Sequence, residues 1–207
     1  MDHLVRPCTP TDETSWLRCR VLAFLDTLNF RDVVAAHPVP DPDVADPADS
    51  IQWVAVATAG RDAGEVVAVL DASVGSGAED GGLATIDTIA VHPDHRRAGL
   101  ATRLLDAVVE RLPERATVLD AWAREDPAAV AWYGARGFVP DHAYLQVHLE
   151  SWVDGEDVAA LIRAPSQLST PVTGLFHASL EDEDWVRERF HTAVRVTRHV
   201  RPLRTAA

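Results

Sequence analysis

The positions of apolar residues along the chain predict alternating strands and helices. Short runs rich in β-branched residues and bounded by glycine, proline or aspartate predict strands. They lie at residues 3–6, 53–57, 66–70, 84–91, 116–122, 143–149 and 172–178. Apolar residues that recur at steps of three and four predict helices at residues 16–25 and from Leu100 onward. Asp126 as N-cap, with Pro127 at the first helical position, predicts another helix over residues 127–136.

The last part of the chain predicts an extension to this core. Ser179 and Asp182 have the spacing of a capping box, which predicts a helix from there through about His199. We expect a domain at residues 1–150 and a strand-helix extension at residues 151–207. The extension is a candidate for dimerisation into a homodimer, for a lid on the acceptor cleft, or for packing that only adds stability.

The connection between the strand at 84–91 and the helix at Leu100 predicts a site for phosphate. The first amides of a helix have no intrahelical partner and carry partial positive charge, which favours an anion. Gly99 allows close approach of the backbone, and Arg96 and Arg97 add charge that can pair with phosphate oxygens. We therefore predict a pyrophosphate cradle at residues 96–102.

This stretch resembles the signature of the GNAT acetyltransferase superfamily, R/Q-x-x-G-x-G/A after a strand. Arg96, Gly99 and Ala101 match it, preceded by a Val-x-Pro sequence at residues 91–93. A second superfamily motif, N-x-x-A-x-x-x-Y-x-x-x-G-F, is matched in frame further along the chain. The matching residues are Asp126, Ala129, Tyr133, Gly137 and Phe138, with aspartate in place of the usual asparagine. The resemblance covers residues 4–150.

The resemblance implies an α/β fold of GNAT type, a mixed and twisted sheet of about seven strands with helices on both faces. It implies that acetyl-CoA is the co-substrate and lies where the strands at 84–91 and 116–122 part. The backbone of residues 89–91 would then pair with the pantetheine amides, and the amides of residues 97–102 with the pyrophosphate. The predicted cofactor-binding residues are Ile89, Ala90, Val91, Arg96, Arg97, Ala98, Gly99, Leu100, Ala101, Thr102 and Asp126.

Two residues are catalytic candidates by the same resemblance. Asp87, four residues before the valine of Val-x-Pro, occupies a position where many relatives carry a base; alternatively it is a strand-edge aspartate bonded to a neighbouring loop. Tyr133 occupies the position of the usual general acid, although a lone helical tyrosine is ordinarily a core residue. Asp126 can cap its helix, but its charge would repel a nearby phosphate.

Composition constrains the acceptor. The formal charge of −13 disfavours nucleic acid and anionic membranes and favours a small cationic amine as substrate. The proline- and aspartate-rich residues 38–50 form either a solvated linker or an acidic entrance to the acceptor cleft, through Asp41, Asp43, Asp46 and Asp49. The glycine-rich residues 75–82 are a turn that is long enough to move over an acceptor.

Other features of the sequence indicate the expected cellular compartment and source of the protein. Cys8 and Cys19 have no metal-ligand spacing, and we expect reduced thiols in a cytoplasmic protein. All 19 basic residues are arginine, which is typical of a high-GC bacterial genome. No segment predicts a targeting peptide or a membrane span. His92 and His95 share one turn but lack a further ligand, so we predict no metal.

We therefore predict an N-acetyltransferase that moves an acetyl group from acetyl-CoA directly to an amine. The alternatives are a non-catalytic acyl-CoA-binding protein that senses the cofactor, an enzyme that acts on a protein N-terminus, and transfer of a longer acyl group. No sequence motif identifies the acceptor.

Overall fold

The strands form one eight-stranded sheet, in a computed structural model that describes residues 2–38, 49–75, 82–150 and 173–203. The strand order is β1-β2-β3-β4-β5-β8-β6-β7. The strands are β1 (His3–Pro7), β2 (Ser50–Ala57), β3 (Val66–Val74), β4 (Leu83–Val91), β5 (Val118–Arg124), β6 (Val139–Glu150), β7 (Thr173–Ala178) and β8 (Thr192–Pro202). Neighbouring strands run antiparallel except β4 and β5, which run parallel.

Within the described ranges, four helices pack on the two faces of this sheet: α1 (Glu13–Phe24), α2 (Leu100–Val109), α3 (Pro127–Ala135) and α4 (Glu183–Arg189). Trp16 of α1 is fully buried against a cluster that includes Val69 of β3. Leu104 of α2 is fully buried in a cluster that includes Leu70, the next residue of β3. Because successive side chains of a strand point to opposite faces, α1 and α2 lie on opposite sides of the sheet.

The predicted mixed sheet with helices on both faces is confirmed, but one predicted element is wrong. The helix expected from Ser179 through about His199 ends at Arg189, and Thr192–Pro202 is strand β8. Val194 and Val196 of β8 are buried at alternate positions, which is the period of a strand. With β5 on one side and β6 on the other, both edges of β8 are paired, so the sheet has eight strands rather than about seven.

The buried face of α1 also differs from the predicted one. Val21 and Leu22 are each 42% exposed and Leu25 is 66% exposed, although their spacing predicts a shared apolar face. Arg20 is buried instead, because its guanidinium lies over the Phe24 ring and donates to the carbonyl of Asp32 at 2.6 Å. A prediction based only on the spacing of apolar residues cannot identify a buried arginine of this kind.

Several predicted segments fall partly or wholly outside the described residues. These include Asp41, Asp43 and Asp46 and most of the glycine-rich turn at 75–82. Asp49 is described, and it is buried and ion-paired with Arg115, which leaves its charge neutralised. The division at residue 150 stays a prediction, although β7 and β8 are hydrogen-bonded into the same sheet as the preceding strands.

The described helices are all short. The longest, α1, has 12 residues, and none in the ranges above has the length and apolar character needed to cross a membrane.

The central position of β8 predicts that a chain ending at Glu150 does not fold. β8 is in register with seven residues of β5 and nine of β6. Each backbone hydrogen bond contributes about 0.5–1.5 kcal/mol net, so their loss approaches the whole stability of a domain, about 5–15 kcal/mol. We expect no near-UV circular dichroism and no cooperative urea transition, with a chain ending at Leu203 as the folded control. A cooperative transition in the shorter chain would show that β8 is dispensable.

Candidate active site

The site begins where the parallel strands β4 and β5 part. Their pairing covers Leu83–Ile86 and Val118–Ala121 only. Beyond Ile86, β4 stays paired with β3 up to Val91, and β5 stays paired with β8 up to Arg124. A cavity of about 470 Å³, here called the cleft, lies in this opening. Among the described strands, none pairs with the backbone of β4 on that side, as the predicted parting requires.

Three structural elements wall the cleft. The end of α1 and the residues after it, among them Phe24 and Asn29, form one side. The end of β5, with Trp122 and Arg124, and helix α3 form the other. The floor is β4 from Ile86 to Val91.

The cleft continues into a second cavity of about 380 Å³ at the start of α2. The two cavities share Val91, Arg96, Arg97, Ala101 and Trp132 as lining residues. Gly99 is the N-cap of α2 with φ of +73° and makes no side-chain cap, and Arg97 has φ of +65°. The first helical amide with a backbone acceptor is that of Arg103, so the amides of residues 97–102 have none among the described residues. The predicted cradle is therefore a concave group of free amides, which suits an anion.

Arg96 lies at the cradle, but its side chain has protein partners. Its guanidinium donates to both carboxylate oxygens of Asp26, at 3.0 and 3.1 Å, and to the carbonyl of Ala23 at 2.8 Å. The bond from Arg96 lowers the pKa of Asp26. Arg96 thus holds the end of α1 against the cradle, and its predicted contact with a pyrophosphate would have to compete with these bonds.

Asp87 lies at an irregularity in β4. The register pairs Asp71 of β3 with Thr88 but Ala72 with Ile86, so Asp87 is an extra residue, as in a β-bulge. The Asp87 side chain lines the cleft, where surrounding residues displace part of its water, and it accepts a hydrogen bond from the Ser73 hydroxyl at 3.1 Å. Loss of hydration raises the pKa of Asp87 to about 6, opposed by the Ser73 bond and assisted by the charges of Asp71 and Asp120.

Tyr133 lies on α3, is 5% exposed and lines the cleft. The ring stacks on His199 of β8, with centroids 5.3 Å apart and planes 13° apart, and meets Phe138 edge-on. Burial raises the pKa of the phenol, so the hydroxyl stays protonated at neutral pH. The residue therefore combines the core position of an ordinary helical tyrosine with a place on the cleft wall.

Asp126 caps α3. Its Oδ1 accepts from the amides of Ala128 at 2.9 Å and Ala129 at 3.0 Å. The carboxylate lines the cleft but is already held by these amides, and its predicted contact with the cofactor stays a prediction.

Arg124 is a cleft residue that sequence patterns did not indicate. Its Nε donates to Oε1 of Gln146 at 2.9 Å, and its Nη1 donates to Oδ1 of Asn29. Burial lowers the pKa of Arg124. Strand β5 continues two residues past the predicted strand end at Trp122. Because alternate residues of a strand share a face, extending the predicted strand would have placed Arg124 on the same face as Asp120 and Trp122.

The loop after α1 is tied to the sheet by a buried ion pair. His37 Nε2 lies 3.3 Å from Oδ2 of Asp71, and its ring packs on Trp16 at 4.2 Å. Burial alone would lower the pKa of His37, but the bonds with Asp71 and Cys8 raise it to about 9. This pair fixes the loop that forms one wall of the cleft.

The turn before the cradle contains the two histidines noted in the sequence. His95 lies 3.1 Å from both His3 and Asp62, and His92 meets it edge-on. Within the described part of the chain, no three histidine, cysteine, aspartate or glutamate side chains are arranged to hold a metal ion.

Solved structures share the fold of this chain. An acetyltransferase of the GNAT family from Streptococcus pneumoniae superposes with a TM-score of 0.60 at 13% identity, covering 97% of this chain and 99% of that one. The Salmonella typhimurium protein yncA, determined with its cofactor acetyl-CoA, gives 0.57 at 14% identity over 99% and 96%. The ribosomal-protein-S18-alanine N-acetyltransferase from Escherichia coli gives 0.56 at 16% identity over 100% and 97%.

No curated protein sequence matches the chain. The model of the acetyltransferase (GNAT) family, however, matches residues 21–138, more than half of the chain. That span runs from α1 through the cradle to the end of the second motif at Phe138. The chain belongs to the GNAT acetyltransferase family.

Proposed function

We propose that this acyltransferase moves the acetyl group of acetyl-CoA directly to the primary amine of a small molecule. The observation that carries the proposal is one continuous cleft with free helix amides at one end and, on its walls, an ionisable carboxyl and a protonated phenol. Proton removal, leaving-group protonation and anion binding are the tasks that transfer from a thioester to an amine requires.

The residues of the cleft fit acetyl-CoA. The unpartnered amides of residues 97–102 would hold the pyrophosphate, and Arg97, exposed beside them, would add charge. The free backbone edge of β4 at residues 89–91 would hold the pantetheine amides as an added strand would. When bound, the co-substrate supplies a thioester whose carbonyl carbon accepts the amine.

Asp87 is the proposed base. An amine with a pKa near 10.4 is neutral only about once in 2,500 molecules at pH 7, so the proton must be removed. Asp87 takes it, directly or through a water, and the neutral nitrogen then forms the new C–N bond. As the C–S bond breaks, the electron pair stays on sulfur, and Tyr133 donates its proton there. The nitrogen, which is positively charged after the C–N bond forms, releases its second proton, and this proton restores the Tyr133 hydroxyl by way of solvent. The raised pKa of the phenol keeps this proton available.

The first prediction tests the cradle with two substitutions of equal size. Asparagine and aspartate both tolerate the left-handed backbone of Gly99, so Gly99→Asn and Gly99→Asp should lose similar stability, about 1 kcal/mol. Only aspartate places a negative charge beside the phosphates. We expect at least tenfold weaker CoA binding for Gly99→Asp than for Gly99→Asn by calorimetry. Equal affinities would show that the pyrophosphate does not bind beside Gly99.

The second prediction concerns pH. The base must be ionised, so kcat/KM should rise as pH increases through about 6 and level off above 7. Asp87→Asn should lower kcat/KM by about 10²-fold and abolish this rise.

The same variant has a stability readout. The pKa of Asp87 is higher in the folded protein than in the unfolded chain, so its ionisation favours unfolding as pH rises from about 4 to above 6. Asp87→Asn should therefore melt at the same or a higher temperature than the parent at pH 8. A lower melting temperature together with lower activity would point to a structural role instead.

The third prediction separates chemistry from binding. Tyr133→Phe keeps the ring that stacks on His199 and removes only the hydroxyl. We expect kcat to fall by about 10²-fold with KM for acetyl-CoA nearly unchanged. His177→Phe, on the edge strand β7 and not among the cleft residues, is the matched control and should leave both constants near those of the parent. An unchanged kcat in Tyr133→Phe would make Tyr133 a core residue only.

A further inference from the structure

Arg124 is a half-buried guanidinium on the cleft wall whose described hydrogen-bond partners are neutral. It donates to the side-chain amide oxygens of Asn29 and Gln146. Among the described residues, no carboxylate lies within ion-pair distance of it. Asp32 acts on Arg124 only from further away, and is itself paired with Arg20 at 3.1 Å.

Two other arginines near the opening are neutralised by comparison. Arg198, which lies opposite Trp122 on strand β8, donates to Asp120 at 2.6 Å and to Asp141 at 3.1 Å. Arg96 is paired with Asp26. A guanidinium stays charged when partly buried, and burial without a counter-ion is costly. The position of Arg124 therefore favours a ligand that brings a negative group.

This negative group is distinct from the phosphates of the co-substrate, because the two would bind at separate positions. Arg124 does not line the cavity at the start of α2, where the free amides lie. It lies instead with Asp87 and the loop after α1 on the walls of the main cleft. The pantetheine arm, which would lie between the two ends, is uncharged.

Asp87 and Arg124 line the same cleft and together indicate what the ligand carries. Asp87 directly follows Ile86, the last residue of β4 that pairs with β5, and Arg124 lies three residues beyond Ala121, the partner of Ile86, so the two side chains belong to the two strands that part. A ligand in the opening therefore meets a carboxylate from one strand and a guanidinium from the other. An amine and a carboxylate on one small molecule complement this pair of charges. The exposed Trp122 ring, which also lines the cleft, offers a flat surface for the carbon skeleton.

We propose that the acceptor is an amino acid or a closely related amino carboxylate. Its ammonium group faces Asp87, and its carboxylate is bound by Arg124, whose planar fork fits two carboxylate oxygens. The inference rests on the proposed acetyl transfer and refines it, since a zwitterion replaces the small cationic molecule expected from net charge. Arg124 is then a specificity-determining residue, and Asp87 keeps its role as base.

The test compares matched acceptors. The protein and acetyl-CoA are incubated with each of the twenty amino acids, and for the best one also with its carboxamide and its decarboxylated amine. CoA release is measured with a thiol reagent. We expect kcat/KM for the amino acid to exceed that for the amide and the amine by about tenfold or more, the effect of a hydrogen bond to a charged group.

Arg124→Gln supplies the second arm. It should raise KM for the amino acid by about tenfold or more and leave kcat/KM for the carboxamide within about twofold, so the preference disappears. A merely structural role would weaken both acceptors together. Arg189→Gln, on α4 away from the cleft, is the matched control and should keep the preference.

The outcomes separate the two proposals. If CoA binds but no amine of any kind is acetylated, the proposed function fails. If simple amines, carboxamides or peptide N-termini are acetylated as well as or better than amino acids, acetyl transfer stands and the amino-carboxylate inference is overturned. A preference for the amino acid that survives in Arg124→Gln would overturn the assignment of the carboxylate to Arg124.

Discussion

The short parallel pairing of β4 with β5 is the constraint on which the site depends. Only four residue pairs join the two strands, and each strand then keeps a single neighbour. Their parting opens the cleft and leaves one edge of β4 free. Because parallel strands end on the same side of a sheet, the helices that follow them, α2 and α3, both begin beside the opening. One feature of sheet pairing thus positions the free amides, the wall of α3 and the proposed base.

Charge on the sheet face beside the cleft is distributed unevenly. Three carboxylates, Asp71, Asp87 and Asp120, lie near one another. Loss of hydration raises the pKa of Asp87, and the charges of the other two raise it further. Asp71 is paired with His37 and Asp120 with Arg198, whereas Asp87 has only the Ser73 hydroxyl as a partner among the described residues. Of these three carboxylates, the one without a described cation is the one that lines the cleft. The carboxylate whose ionisation lowers the stability of the fold is therefore the one that has to exchange a proton.

Sequence patterns predicted the structural features that depend on residues close together in the chain. The cap at Asp126, the glycine at the start of α2 and the strand before it depend on neighbours a few residues away, and the structure places all three as expected. The pairing of Arg96 with Asp26, 70 residues apart, and that of Arg124 with Asn29, 95 apart, depend on the folded arrangement. No local period identifies such partners. The helix predicted through His199 failed for a related reason, since β8 is stabilised by two strands that lie distant in sequence.

Strand β8 connects the end of the chain to the chemistry of the cleft. His199 is opposite Ala121 of β5 and stacks on Tyr133, so the ring of the proposed acid lies between its own helix and the sheet. Burial lowers the pKa of His199, which keeps the imidazole neutral and gives it no charge with which to ionise the phenol. A stacked, neutral ring fixes the position of Tyr133 without lowering its pKa. The part of the sequence least like the family core therefore supports the residue on which proton donation to the leaving thiolate depends.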